Sequence, residues 1–167
     1  IHVLSSKEEE MAPLLKDLNN ELYRIFKRDY FFTANVAKIS GSNTISLCRA
    51  GHLPVMHYRY NDKSVCVHKP KGIGLGLTNT NVFGDTLEVT EITPERGDVL
   101  LFYTDGVNEC MDETGEMFGD ARLEILLKKY AHFHVDKLKD VITEHIYDFS
   151  SETAQHDDIT FAIFKVR

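Results

Sequence analysis

The chain has 167 residues, of which 43% are hydrophobic and 27% charged, enough apolar material for one packed core and far from the composition of a disordered chain. Its formal net charge of -7 repels nucleic-acid backbones and anionic lipid headgroups, and its basic pairs, Lys27-Arg28 and Lys128-Lys129, are scattered as solvated helix faces rather than gathered in a patch, so nucleic acid is excluded as a partner. No apolar run reaches the length that crosses a bilayer, and the basic-then-apolar layout of a signal peptide is missing, so no membrane insertion of this segment is expected.

In chain order, Met11, Leu14, Leu15, Leu18, Leu22, Ile25 and Phe26 recur at steps of three and four, which predicts an amphipathic helix with a break near Pro13. After Arg28 the pattern becomes short runs rich in β-branched and aromatic residues. A hairpin is predicted from Tyr30 to Ile39 and Thr44 to Arg49 around Ser40-Gly41-Ser42-Asn43. Further strands are predicted at Val55 to Tyr60, Ser64 to His68, Thr86 to Ile92, Val99 to Tyr103 and Ile159 to Val166, with turns at Asn61-Asp62 and Glu95-Arg96-Gly97-Asp98. Helices are predicted between the last two strands, at Ala121 to Tyr130 and Val135 to Phe149. No repeat or linker divides the chain, so one domain over 1–167 is expected. Its fold class is α+β: an antiparallel β-sandwich flanked by α-helices, because many short alternating strands bury one face each.

Three cysteines, Cys48, Cys66 and Cys110, form an odd set without C-x-x-C spacing. This argues against a disulfide framework and a zinc site, and for reduced thiols in a cytoplasmic protein. Gly72, Gly74 and Gly76 lack the G-K-[ST] ending of a P-loop, and no helix pattern follows them as a dinucleotide fingerprint requires. His52, before Pro54, reads more readily as a turn residue than as a site residue, and His132, His134, His145 and His156 show no ligand spacing.

The stretch from Gly97 to Gly106 is an apolar strand ending on Asp105, followed by glycine. An isolated Asp-Gly more often makes only a turn, and Asp157-Asp158, just before the final strand, reads by spacing more often as an ordinary acidic loop. If the final strand pairs antiparallel with Val99 to Tyr103, however, Asp105 and Asp157 meet at one sheet end. Carboxylates gathered there repel unless a hard cation bridges them, and oxygen-only ligation suits Mg²⁺ or Mn²⁺ rather than Zn²⁺. Glu109, Asp112 and Glu113 read as a solvated loop, with Glu109 near enough to Asp105 to support it.

Arg49-Ala50-Gly51-His52-Leu53-Pro54, Gly72-Ile73-Gly74-Leu75-Gly76-Leu77, Thr104-Asp105-Gly106-Val107-Asn108-Glu109, Gly115-Glu116-Met117-Phe118-Gly119 and Asp157-Asp158-Ile159-Thr160 resemble, in order, motifs of the SpoIIE/RsbU branch of the PPM (PP2C-like) metal-dependent protein serine/threonine phosphatases. The resemblance spans nearly the whole chain and is specific as a set. It implies α-β-β-α layers, Asp105 and Asp157 as metal ligands with Asp158 supporting them, and Mn²⁺ or Mg²⁺, two ions in the complete domain. The implied reaction is hydrolysis of phosphoserine or phosphothreonine on a regulatory protein, often an anti-sigma-factor antagonist, by a metal-activated water and without a covalent phosphoenzyme.

The branch also carries an upstream G-D-x-x-G-H-G segment whose aspartate bridges the metals, and these 167 residues contain none. Beginning at Ile1, the sequence reads as the C-terminal two-thirds or so of the domain. From this stretch alone, weak metal binding, poor catalysis, and unpaired edge strands that invite a homodimer are expected. The alternative is a catalytically inactive PP2C-like module that binds a signalling partner.

Overall fold

A computed structural model describes residues 11–26, 29–41, 43–150 and 157–167. In chain order the elements are α1 (Met11–Phe26), β1 (Ala34–Ile39), β2 (Ile45–Ala50), β3 (Val55–Arg59), β4 (Ser64–His68), α2 (Thr80–Thr86), β5 (Val89–Ile92), β6 (Val99–Tyr103), α3 (Asp105–Asn108), α4 (Gly119–Tyr130), α5 (Val135–Ser150) and β7 (Phe161–Lys165). The class is α+β, with two antiparallel sheets and accompanying helices. Two compact units are distinguished, Ile1–His52 with Pro70–Thr93, and Leu53–Lys69 with Pro94–Arg167. No described helix is long and apolar enough to cross a membrane.

The first unit holds the three-stranded sheet β1-β2-β5. β1 and β2 form the predicted hairpin, with Ala34 opposite Ala50 and Ile39 opposite Ile45. Its turn closes by bonds from the Ser40 N–H to the Thr44 carbonyl and from the Asn43 N–H to the Ser40 carbonyl, with Asn43 at φ 59°. Asparagine tolerates that left-handed backbone better than most residues. The predicted first strand began at Tyr30, but regular pairing starts at Ala34 because Phe32 instead exchanges backbone hydrogen bonds with Leu75. Helix α1 runs through Pro13 without the expected break, since Pro13 lies in the first turn of the described helix, where a missing N–H costs little.

Met11 and Leu15 of α1 are buried with Cys48, Ala50, Leu75 and Phe83. Burial pushes the Cys48 thiol up to about 11 against a backbone bond at Arg49 that opposes the shift, so it stays protonated and inert at neutral pH. The predicted strand Thr86 to Ile92 is shortened to β5 because the chain before it folds as α2. Asn79 caps that helix by accepting the Val82 N–H at 3.3 Å, and its Phe83 is fully buried. Only Thr86 of the predicted strand falls within α2, and the expectation that no helix follows the glycine run is corrected: the cap and one apolar anchor make a short helix that lacks a readable period.

The glycine run has a steric cause. A Cβ on Gly72 would lie 1.7 Å from the Arg49 carbonyl oxygen, and Gly51, at φ 70°, packs against the backbone of Gly74. The buried Asn19 of α1 ties the run to the helix: its Oδ1 accepts the Gly76 N–H at 2.9 Å and its Nδ2 donates to the Thr78 carbonyl at 3.1 Å. Replacing Asn19 by Ala strands a buried N–H and removes a second bond, which predicts a loss of about 2–3 kcal/mol. Urea unfolding should show a lower midpoint at unchanged slope, and a midpoint equal to wild type would remove Asn19 from this role.

The second unit holds the four-stranded sheet β4-β3-β6-β7, antiparallel throughout. Met56 and Tyr58 of β3 and Val99, Leu101 and Tyr103 of β6 alternate onto one face and join the buried side chains of α4 and α5, such as Leu123 and Ile142, in one core. Strand residues two apart share a face, and this is why these five do. The Lys165 ammonium of β7 donates to the Ala131 and Phe133 carbonyls, both at 2.7 Å, satisfying acceptors at the end of α4. Helices α4 and α5 match their predicted spans to within two residues, and β7 is trimmed to Phe161–Lys165.

Candidate functional site

β6 and β7 pair with Tyr103 opposite Phe161 and Val99 opposite Lys165. The C-terminal end of one strand therefore lies beside the N-terminal end of the other, and the segments bearing Asp105 and Asp157-Asp158 emerge there. Thr104 stitches the junction. Its N–H donates to the Thr160 carbonyl at 3.0 Å and its hydroxyl accepts the Thr160 N–H at 3.2 Å. The same hydroxyl reaches the Asp158 carbonyl at 3.1 Å and the Thr160 carbonyl at 3.2 Å, giving its single proton to one of the two at a time.

Asp105 is the first residue of α3, a short helix absent from the sequence-based expectation. A Cβ on Gly106 would sit 2.4 Å from the Asp158 carbonyl oxygen, so glycine is required by the approach of two backbones. The Gly106 N–H lies 3.1 Å from Asp105 Oδ1, and the Asp158 N–H donates to Asp157 Oδ1 at 2.7 Å. Asp105, Asp157 and Asp158 are all exposed.

Asp120, in the first turn of α4, steadies this end of the sheet. Its Oδ1 accepts the Tyr103 hydroxyl and Asn108 Nδ2, each at 3.0 Å. Burial, then the Asp120 carboxylate, pushes the Tyr103 phenol up, so it stays a proton donor in this bond. Asn108 lies three residues after Asp105 on α3, and its Oδ1 is buried with no hydrogen-bond partner among the described residues.

The other residues singled out above are placed elsewhere. His52 pairs through Nδ1 with the Thr33 hydroxyl at 2.9 Å, in the first unit. The Glu109 N–H closes α3 on the Asp105 carbonyl while its side chain is exposed. Asp112 organises its loop, its Oδ1 accepting from the Thr114 hydroxyl and from the N–H groups of Thr114 and Glu116. His156 lies outside the described residues.

Sequence reading did not single out Thr104, Asn108 or Asp120 as separate contributors. It also missed a group on the other face of the second sheet. Among the described residues, the group of three metal-capable side chains whose ligand atoms all lie within 4.8 Å of one another is His57, Cys66 and His68; Asp105, Asp157 and Asp158 do not form such a group. His57 Nδ1 is 3.0 Å from His68 Nε2, and His57 Nε2 is 2.9 Å from Asp98 Oδ2. Asp98 also accepts the Tyr60 and Glu95 N–H groups at 2.8 and 2.9 Å. Burial pushes the Asp98 carboxyl up, but these bonds and His57 outweigh it and hold Asp98 below the ordinary carboxylate range. The signal for this group was present in the sequence: a hairpin centred on Asn61-Asp62 sets His57 opposite Cys66.

The fold is that of PP2C phosphatase domains. The SiaA-PP2C domain of Pseudomonas aeruginosa superposes with a TM-score of 0.78 at 17% identity, over 93% of this chain and 61% of that one. The manganese-soaked phosphatase domain of SpoIIE from Bacillus subtilis gives 0.64 at 15% identity, over 98% and 76%. The family model for stage II sporulation protein E (SpoIIE) matches residues 1–167, and the chain belongs to that family. The phosphoserine phosphatase RsbU of Bacillus subtilis is 24% identical over 158 residues, 92% of this chain and 44% of that protein. The chain spans less than half the length of the curated relatives it matches.

The Gly106 contact gives a direct test of the strand-end geometry. Gly106→Ala must push the Asp158 backbone away, which predicts a loss of about 1–3 kcal/mol and faster amide exchange at Thr160. Wild-type exchange at Thr160 in a folded variant would contradict the close approach.

Proposed function

We propose that this chain forms part of a single PPM phosphatase domain and that the complete protein removes phosphate from serine or threonine of a regulatory protein partner. Asp105 and Asp157 are the cation ligands and Asp158 supports them. The observation that carries the reading is the junction of β6 and β7, where Thr104 and the bare Gly106 backbone lie against Asp158 and Thr160 beside both acidic segments. The family match adds to it by running through both compact units.

The residues fit Mn²⁺ or Mg²⁺. The donors are carboxylate oxygens, the choice of hard cations, and Asn108 Oδ1 is a buried acceptor without a partner among the described residues, one turn from Asp105. A divalent cation bound there supplies positive charge against the phosphate and acidifies a water. The protein's own part is to aim and steady the donors. The Gly106 and Asp158 N–H groups orient Oδ1 of Asp105 and Asp157, Thr104 fixes the two backbones, and Asp120 anchors α3 through Asn108. With a net charge of -7 the chain repels an anionic phosphoprotein unless cations intervene, which supports metal dependence. An anti-sigma-factor antagonist is the partner class favoured by the motif resemblance. The free cysteines suit a cytoplasmic setting.

The expected result is that the full-length protein with Mn²⁺ hydrolyses an aryl phosphate and a phosphoserine protein, and that Asp105→Asn lowers kcat/KM by roughly 10²–10³-fold with an unchanged circular dichroism spectrum. Equal turnover by the variant, or by wild type in EDTA, would overturn the assignment. A full-length protein that binds its partner yet never turns over would be an inactive PP2C-like signalling module instead.

A further inference from the structure

We propose that His57, Cys66 and His68 bind a thiophilic divalent cation, Zn²⁺ being the best match, on the β3–β4 hairpin. The register sets His57 opposite Cys66 and Val55 opposite His68, so all three side chains leave the same face of one hairpin. Cysteines and histidines on a rigid two-stranded scaffold need little rearrangement to converge.

The distances are those of a site ready to close. His57 Nδ1 and His68 Nε2 are 3.0 Å apart, Cys66 Sγ and His68 Nε2 are 3.7 Å apart, and the whole set lies within 4.8 Å. A tetrahedral zinc with bonds of about 2.0–2.1 Å to nitrogen and about 2.3 Å to sulfur places its ligands roughly 3.3 Å apart for N and N, and roughly 3.6 Å for N and S. Those two pairs need to move by only a few tenths of an ångström.

Asp98 supplies the support that a metal-bound histidine usually has. Its carboxylate accepts a hydrogen bond from His57 Nε2–H at 2.9 Å and is itself held by the Tyr60 and Glu95 N–H groups. This fixes the tautomer of His57 and turns the bare Nδ1 toward Cys66 and His68. The thiolate and two imidazoles are a borderline-soft set, unlike the carboxylates at the β6–β7 junction, and this selects Zn²⁺ over Mg²⁺ and Mn²⁺.

A hydrogen-bonded stack alone accounts for part of the arrangement. With His57 Nε2–H donating to Asp98, His68 Nε2–H donates to His57 Nδ1, and the rings stack at 5.3 Å. That relay makes no use of the thiol. On metal binding, the His57–His68 bond gives way to two metal–nitrogen bonds, the His68 proton moves to its Nδ1 through solvent, and Cys66 releases its thiol proton. One proton leaves per ion bound, and a fourth ligand is left to water.

The test is titration of the metal-free chain with Co²⁺ at neutral pH. We expect one ion per chain to give a near-ultraviolet sulfur-to-cobalt charge-transfer band that Zn²⁺ abolishes. The band should vanish in Cys66→Ser, persist in Cys110→Ser, and require at least tenfold more Co²⁺ in His68→Gln. Should Cys66→Ser fail to fold, alkylation of the wild-type chain decides: Zn²⁺ should shield Cys66 and leave Cys110 reactive, as read by peptide mass. No band, a band that survives Cys66→Ser, or no shielding would overturn the site.

Discussion

The antiparallel pairing of β6 with β7 is the constraint on which the acidic strand end depends. Opposed strands put the finish of one beside the start of the other, so two aspartate-bearing segments 52 residues apart in sequence, at 105 and 157, leave the same end of one sheet. Side chains alone would not hold that junction, because like charges repel. Uncharged contacts hold it instead: the Thr104 hydroxyl, the Thr160 amide and the bare Gly106 backbone. The rigid part of the junction is thus backbone, and the carboxylates are carried on it.

The same logic governs the glycine run of the first unit. Gly72 and Gly74 allow main chain to lie against main chain at Arg49 and Gly51, and Asn19 converts the resulting loop into part of the helix surface. A motif that superficially suggests a phosphate cradle is thereby occupied by packing. Arg49, whose guanidinium reaches the Pro70 and His52 carbonyls, spans the same loop from the other side.

Much of the fold was legible because strand alternation and helix period are local. Ser64–His68 and Val99–Tyr103 match their predicted spans, and α4 and α5 differ by no more than two residues at an end. What was missed depended on contacts across the chain. The capping bond of Asn79 and the burial of Phe83 made the helix α2 after the glycine run, where no helical period had been read. Asp105 and Asp157 could be singled out because recognisable neighbours flank them, whereas Asn108 and Asp120 acquire their roles only once α3 meets α4. Spacing rules for cysteine look along the chain and overlooked Cys66, whose companion His57 is reached across a hairpin.

Lys165 links two elements that a diagram would draw apart. Its ammonium is the ligand of carbonyls at Ala131 and Phe133, so detaching β7 from the sheet edge also leaves the end of α4 without its donor. Fraying at the last strand is therefore not private to that strand. The last strand and the α4–α5 corner thus share one charged donor across two hydrogen bonds.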